Sequence, residues 1–132
     1  MSYSIAQAAQ ITGLSADTLR YYERIGLVEA PARDTGGRRT YTDENLNWLE
    51  FLTKLRTTGM PIRLMLEYAS LVHGGIGTSV RRRQILQRHQ ADVRARLAEL
   101  EQCLKVIDYK VEHYQDVERR LGLDPEVAAE SA

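Results

Sequence analysis

Hydrophobic and polar positions alternate with a helical period through most of the chain. Ser4 followed by Gln7 has the form of a capping box, in which each side chain satisfies a free backbone N–H of the other's turn. A helix is predicted from there, with Ile5, Ala8 and Ala9 on one face and an end at Gly13, which can take the left-handed conformation. Ser15 caps a second helix over Ala16 to Ile25, closed by Gly26, and two short helices about a glycine turn form a helix-turn-helix signature. From Leu27 to Tyr41 the period lapses. Pro31, Gly36 and Gly37 interrupt it while Thr40 and Tyr41 favour a strand, so a short hairpin is expected. Thr42 then caps a third helix with Leu46, Leu49, Leu52 and Leu55 three residues apart. Gly59 closes it, and Pro61 suits the first turn of a fourth helix, where a missing N–H costs nothing. That helix carries Ile62, Met65, Leu66, Ala69 and Val72 as far as Gly74, Gly75 and Gly77.

From about Ser79 the pattern becomes a heptad. Leu86, Val93, Leu97, Leu100, Leu104, Ile107, Val111, Tyr114 and Leu121 recur at intervals of three, four or seven, with Gln90 and Glu118 as polar interruptions. A helix of ~42 residues would extend ~63 Å, too far to bury its apolar stripe on so small a body. It needs a partner, and Leu86, Val93, Leu97, Leu100, Leu104, Ile107, Val111 and Tyr114 are the candidate dimerisation residues. The competing arrangement folds the long helix back on its own domain. After Leu121 the acidic, small-residue segment is expected to fray.

Composition narrows the class. The 132 residues, 43% hydrophobic and 27% charged, suit one folded unit and an arm. No apolar run approaches the ~20 residues of a membrane span, and MSYSIAQAAQ lacks the basic flank and apolar core of a signal peptide, so a cytoplasmic protein without a membrane partner is expected. Cys103 is the single cysteine, which excludes an internal disulfide framework and a clustered zinc site. Eighteen basic residues balance eighteen acidic ones, which by itself argues against a nucleic-acid binder. The distribution alters this only in part, because residues 81 to 100 carry six arginines against Asp92 and Glu99 while residues 101 to 132 hold four basic and eight acidic residues.

The stretch SADTLRYYERIGLV at Ser15 to Val28, followed by GGRRTY at Gly36 to Tyr41, closely resembles the MerR family of transcription regulators. The likeness continues through the third helix, the GMPIRLMLEY segment and the long helix. It implies a fold dominated by α-helix: a winged helix-turn-helix DNA-binding domain with connecting helices over residues 1–75, an antiparallel coiled-coil dimerisation helix over 76–121, and a flexible tail over 122–132. It also implies a homodimer on double-stranded operator DNA, associated with the nucleoid, that meets RNA polymerase at a promoter. Family members commonly bind an overlong promoter spacer and distort it, a form of indirect readout.

The residue chemistry agrees. On the second helix Asp17, Thr18, Arg20 and Tyr21 face outward near the N-terminus, while Leu19 and Tyr22 turn toward the core. A guanidinium at Arg20 can make a bidentate contact with guanine or clamp a phosphate; its competing role is an ion pair along the helix with Asp17 or Glu23. Tyr21 is assigned to phosphate and Tyr22 to packing. In the wing, Arg38, Arg39 and Tyr41 are expected against the sugar-phosphate backbone or minor groove. Arg38 stands where the family frequently has an aromatic, which makes Arg39 the more secure contact. Arg33 and Arg56 match positions where family members touch phosphate. The triplet Arg81 to Arg83 is assigned to solvent and pairing between domains, since consecutive helical residues cannot all face one duplex.

The sensing end is less defined. Metal-sensing relatives place two or more cysteines around the end of the dimerisation helix, whereas here there is only Cys103, so neither metal nor cofactor is expected. Drug-sensing relatives append a separate ligand-binding domain, which the segment after Leu121 is too short to form. The chain is most similar to the aldehyde- and electrophile-responsive subgroup, yet Leu52, Thr53 and Lys54 occupy the region of that subgroup's third-helix cysteine. Two other readings compete with the regulator: a redox or electrophile sensor acting through Cys103, and a DNA-architectural protein with no effector. His73, His89 and His113 are assigned to capping, packing or surface roles. An enzyme is not expected, because no paired carboxylates or nucleophile with a base stand at usable spacing, so there are no catalytic residues to name.

Overall fold

The computed structural model describes residues 1–123. Its elements run β1 (Ser2–Ser4), α1 (Ile5–Thr12), α2 (Ala16–Arg24), β2 (Thr40–Thr42), α3 (Asp43–Thr57), α4 (Ile62–His73), a 3-10 turn (Ile76–Thr78) and α5 (Ser79–Leu121). The chain divides into two compact units, Met1–His89 and Gln90–Ala132. The expected fraying after Leu121 lies for the most part outside the described residues.

Local chemistry sets the helix ends. Ser4 Oγ accepts from the Gln7 N–H at 3.1 Å while Gln7 Oε1 accepts from the Ser4 N–H at 2.8 Å, so the capping box is complete. Thr42 and Asn45 form a second box at the start of α3, at 3.1 and 2.9 Å. Ser15 Oγ accepts from the Thr18 N–H at 3.0 Å and starts α2. Gly13, at φ 75°, closes α1 in the left-handed conformation, which a Cβ would strain. Pro61 sits one position earlier than predicted: it is the N-cap of α4, and its carbonyl accepts from the Leu64 and Met65 N–H groups.

The first unit is held by one apolar core. Leu46, Leu49, Leu52 and Leu55 all turn inward from α3, joined by Leu19 and Tyr22 from α2, Met65 and Ala69 from α4 and Ile85 from α5. Leu19, Leu27, Leu49, Leu52 and Met65 are the largest fully buried side chains, and truncating such a residue to alanine costs about 2–5 kcal/mol. Leu52, in the region of the missing thiol, is thus core packing.

Two expectations are corrected. The hairpin over Leu27 to Tyr41 is reduced to a single bridge, Arg33 with Arg39, about a turn at Asp34–Gly37. Asp34 Oδ1 accepts from the Gly36 and Arg38 N–H groups, and this side-chain closure replaces further rungs. The longer pairing of Thr40–Thr42 is with the N-terminus: β1 and β2 are antiparallel, Ser2 opposite Thr42, Tyr3 opposite Tyr41 and Ser4 opposite Thr40. Tyr3 Oη donates to Asp43 Oδ1 at 2.8 Å, which fastens β1 to the first turn of α3 and holds the phenol pKa above its ordinary value. The second correction concerns Leu86, placed by its heptad position in the dimer stripe. It packs against the core of the first unit beside buried Ile85, because the opening turns of α5 belong to that unit.

None of the described residues of the second unit is buried. Val93 is half-buried, while Leu97, Leu100, Leu104, Ile107, Val111 and Tyr114 are 49–65% exposed and lie along one face.

Candidate nucleic-acid interface

The outer surface of α2 is built by its cap and its period. Ser15 Oγ donates to Thr18 Oγ1 at 2.9 Å as well as capping the backbone, which fixes the first turn. Leu19 and Tyr22 are buried, so Asp17, Arg20 and Tyr21 are left on the outside, with Thr18 half-buried. Arg20 Nη1 donates to Asp17 Oδ1 at 3.1 Å, the ion pair along the helix that was the competing reading. Asp17 is 96% exposed, so this contact is worth little against solvent and can be exchanged for a stronger anion.

Sequence reasoning passed over Arg24. Its guanidinium lies 5.6 Å from the centroid of the Tyr21 ring, a cation–π contact that holds the exposed tyrosine in place. The signal was available in the spacing, since Arg24 stands three residues after Tyr21 and four after Arg20 on the same helical face.

Thr18, Tyr21 and Arg56 come together. With Met60, Ile62 and Met65 they border a shallow hollow of about 300 Å³ between α2 and the α3–α4 corner. A cation, a phenol and a hydroxyl around one depression can serve as donors to phosphate oxygens.

The wing residues separate into different roles. Arg33 Nη1 donates to the Gly37 carbonyl at 2.7 Å and braces the turn. Arg39 Nε donates to Glu23 Oε2 at 2.6 Å, and the two side chains are only 24% and 17% exposed. Arg39, expected to be the more secure DNA contact, is therefore turned inward as the fastening between wing and α2. Arg38 points out, and its side chain has no partner among the described residues. Tyr41 departs furthest from expectation: at 3% exposure it is a core residue and offers no surface to a duplex. Burial pushes its phenol pKa up, with Glu23 adding to the rise and Arg39 and Arg20 opposing it. The signal for both corrections was parity, because residues 39 and 41 of an extended segment share one face and residue 38 takes the other.

Outside this surface, Arg81 Nη2 donates to Glu67 Oε1 at 2.8 Å, which ties α5 to α4. His89 Nε2 lies 2.7 Å from Thr58 Oγ1, His73 Nδ1 lies 3.1 Å from Glu29 Oε1, and His113 stacks on Tyr109. Among the described residues no three His, Cys, Asp or Glu side chains converge as metal ligands, and no helix is long and apolar enough to cross a membrane.

Residues 3–68 match the family described as MerR HTH family regulatory protein. An uncharacterized HTH-type transcriptional regulator of Haemophilus influenzae is 36% identical over 115 residues, covering 87% of this chain and 85% of the relative. The HTH-type transcriptional regulator AdhR of Bacillus subtilis is 43% identical over 96 residues, covering 73% of this chain and 66% of AdhR. Among solved structures, HiNmlR, a MerR family regulator lacking the sensor domain and bound to promoter DNA, superposes with a TM-score of 0.84 at 35% identity over 92% of each chain.

Proposed function

The chain belongs to the MerR family of DNA-binding transcription regulators, and from that premise we propose that it acts as a homodimer on a pseudo-palindromic promoter operator, where it distorts the spacer to control transcription by RNA polymerase. The observation that carries the reading is the shared placement of Thr18, Tyr21 and Arg56 about one hollow, with the wing fastened to the same helix through Arg39 and Glu23. On this reading Asp17, Thr18 and Arg20 face the groove, and Tyr21, Arg38 and Arg56 take phosphates. Arg33 and Arg39 act at one remove, by holding the wing.

The dimer rests on a separate observation. Six apolar side chains from Leu97 to Tyr114 stand 49–65% exposed on one helical face, and such a seam is covered by a second copy in a coiled coil. Clasping two copies would present two α2 helices to successive major-groove segments, as a palindromic site requires. A protein acting on DNA in this way belongs in the cytoplasm with the nucleoid.

The test is quantitative binding to the chain's own promoter and to a scrambled duplex of equal length, across a salt series. Preference for the promoter, a steep loss of affinity with salt and loss of selectivity in Arg20→Ala with the dimer intact are expected. Equal affinity for both duplexes overturns the reading. Footprinting with and without polymerase distinguishes a regulator from an architectural protein, since only the former changes how polymerase occupies the promoter.

A further inference from the structure

A second cleft of the first unit, about 570 Å³, shares no lining residue with the hollow that borders α2. Tyr41, Trp48 and Phe51 supply its aromatic walls, and Glu29, Glu44 and His73 stand among the polar lining. The volume falls within the range of sites that enclose a small organic molecule, and the mixture of aromatic wall and a few polar groups is the usual one.

The wall is rigid. Trp48 Nε1 donates to the Leu27 carbonyl at 3.1 Å, and its ring stacks on Tyr68 at 6.1 Å with a 13° interplanar angle. Phe51 packs against both rings, at 6.1 and 5.7 Å. A site whose rings are held before a ligand arrives loses little entropy in binding.

The charge is one-sided. Among the described residues no lysine or arginine lines the cleft. Asp43 is engaged by Tyr3 and the N-terminal ammonium, whereas the neighbouring Glu44 carboxylate has no partner among the described residues. Among the described residues Glu29 meets only the imidazole of His73. Two carboxylates at the mouth of an aromatic cleft, with no fixed cation to balance them, suit a positively charged guest, which gains from ring faces and carboxylates together.

We propose that this cleft binds an aromatic organic cation. Tyr41 gives such a ligand a route to the DNA surface, since it is both cleft wall and the strand residue two positions from Arg39. An occupant that shifts Tyr41 acts on the root of the wing, and operator and ligand then change each other's affinity by the same factor. Binding stands on the cleft alone; the coupling rests on the reading of the wing given above.

Trp48 is the chain's only tryptophan, so its fluorescence reports the site directly. The intact chain without DNA is titrated with tetraphenylphosphonium, and with neutral triphenylphosphine oxide as control. Saturable quenching by the cation and none by the neutral compound are expected. Glu29→Gln with Glu44→Gln weakens binding about tenfold, and Asn47→Arg, which puts a guanidinium on the exposed cleft wall, abolishes it, both with unchanged circular dichroism. Absence of saturable quenching, an equal response to the neutral compound, or a double variant that titrates like the parent overturns the site. Repeating the titration with operator bound is expected to shift the affinity; an identical value overturns the coupling and leaves the site standing. A failure of DNA binding would leave the first titration untouched.

Discussion

Arg39 and Glu23 meet at 2.6 Å across sixteen residues of sequence, and this pair joins the wing to the second helix. Both side chains are mostly covered, so the contact is less screened than a surface pair and more sensitive to loss of one partner. Glu23→Ala is expected to lower stability by about 1–3 kcal/mol, chiefly through the guanidinium left without its counter-charge. DNA affinity should fall with it although Glu23 itself carries the wrong charge to bind phosphate. Thermal denaturation and fluorescence anisotropy on the operator read the two effects, and a weakened fold with unaltered DNA affinity would show that the pair does not position the wing.

Arg38 is expected to behave differently from its neighbour. It is exposed and without a side-chain partner among the described residues, so Arg38→Ala should leave stability within about 0.5 kcal/mol of the parent. Affinity for operator and scrambled duplex should fall together, and the dependence of log affinity on log salt should lose about 0.9 in slope. Salt titrations of parent and variant measure the difference. An unchanged slope would take Arg38 off the phosphate backbone.

Adjacent segments of α5 should respond to opposite tests. Leu104 is 54% exposed on the long helix among the described residues, so Leu104→Asp is expected to dissociate the proposed dimer and leave the first unit's melting intact. Ile85, 4% exposed, lies in the core, and Ile85→Ala should cost the first unit about 2–5 kcal/mol while association persists. Analytical ultracentrifugation and thermal melts separate these outcomes. A Leu104→Asp chain that sediments as the parent does would remove the coiled coil.

Alkaline pH tests the two paired tyrosines. Burial raises the Tyr41 pKa, and the hydrogen bond to Asp43 raises that of Tyr3. A raised value in the folded state means that their contribution is complete below the ordinary tyrosine pKa of about 10 and is lost as pH climbs through the folded value. Melting temperature should hold from neutrality to about pH 9.5 and decline above it. Tyr41→Phe keeps the ring and removes one ionisation, so its alkaline decline should be shallower. Identical declines would place the alkaline sensitivity elsewhere.

The helices could be read from the sequence because what starts and stops them is local. Ser4 with Gln7, Ser15 with Thr18, and Gly13 act within one turn, and the leucines of α3 repeat with the period that the helix imposes. The bare stripe of α5 follows from the same rule. So does the outward surface of α2, once Leu19 and Tyr22 are assigned inward.

The wing required the folded chain. Thr40–Thr42 could have paired with any extended segment, and its partner is the N-terminus, about forty residues away and with no pattern of its own in three residues. Because side chains alternate across a strand, that register also decides which of Arg38 and Arg39 faces out and whether Tyr41 is surface or core. The early turns of α5 show the same limit, since Leu86 keeps a heptad spacing yet packs inside the first unit. Periodicity shows that a residue shares a face with its neighbours along the chain; what that face meets is set by the elements that pack on it. The helices, their caps and the outward face of α2 thus follow from local rules along the chain, whereas which arginine the wing presents depends on a pairing between distant segments.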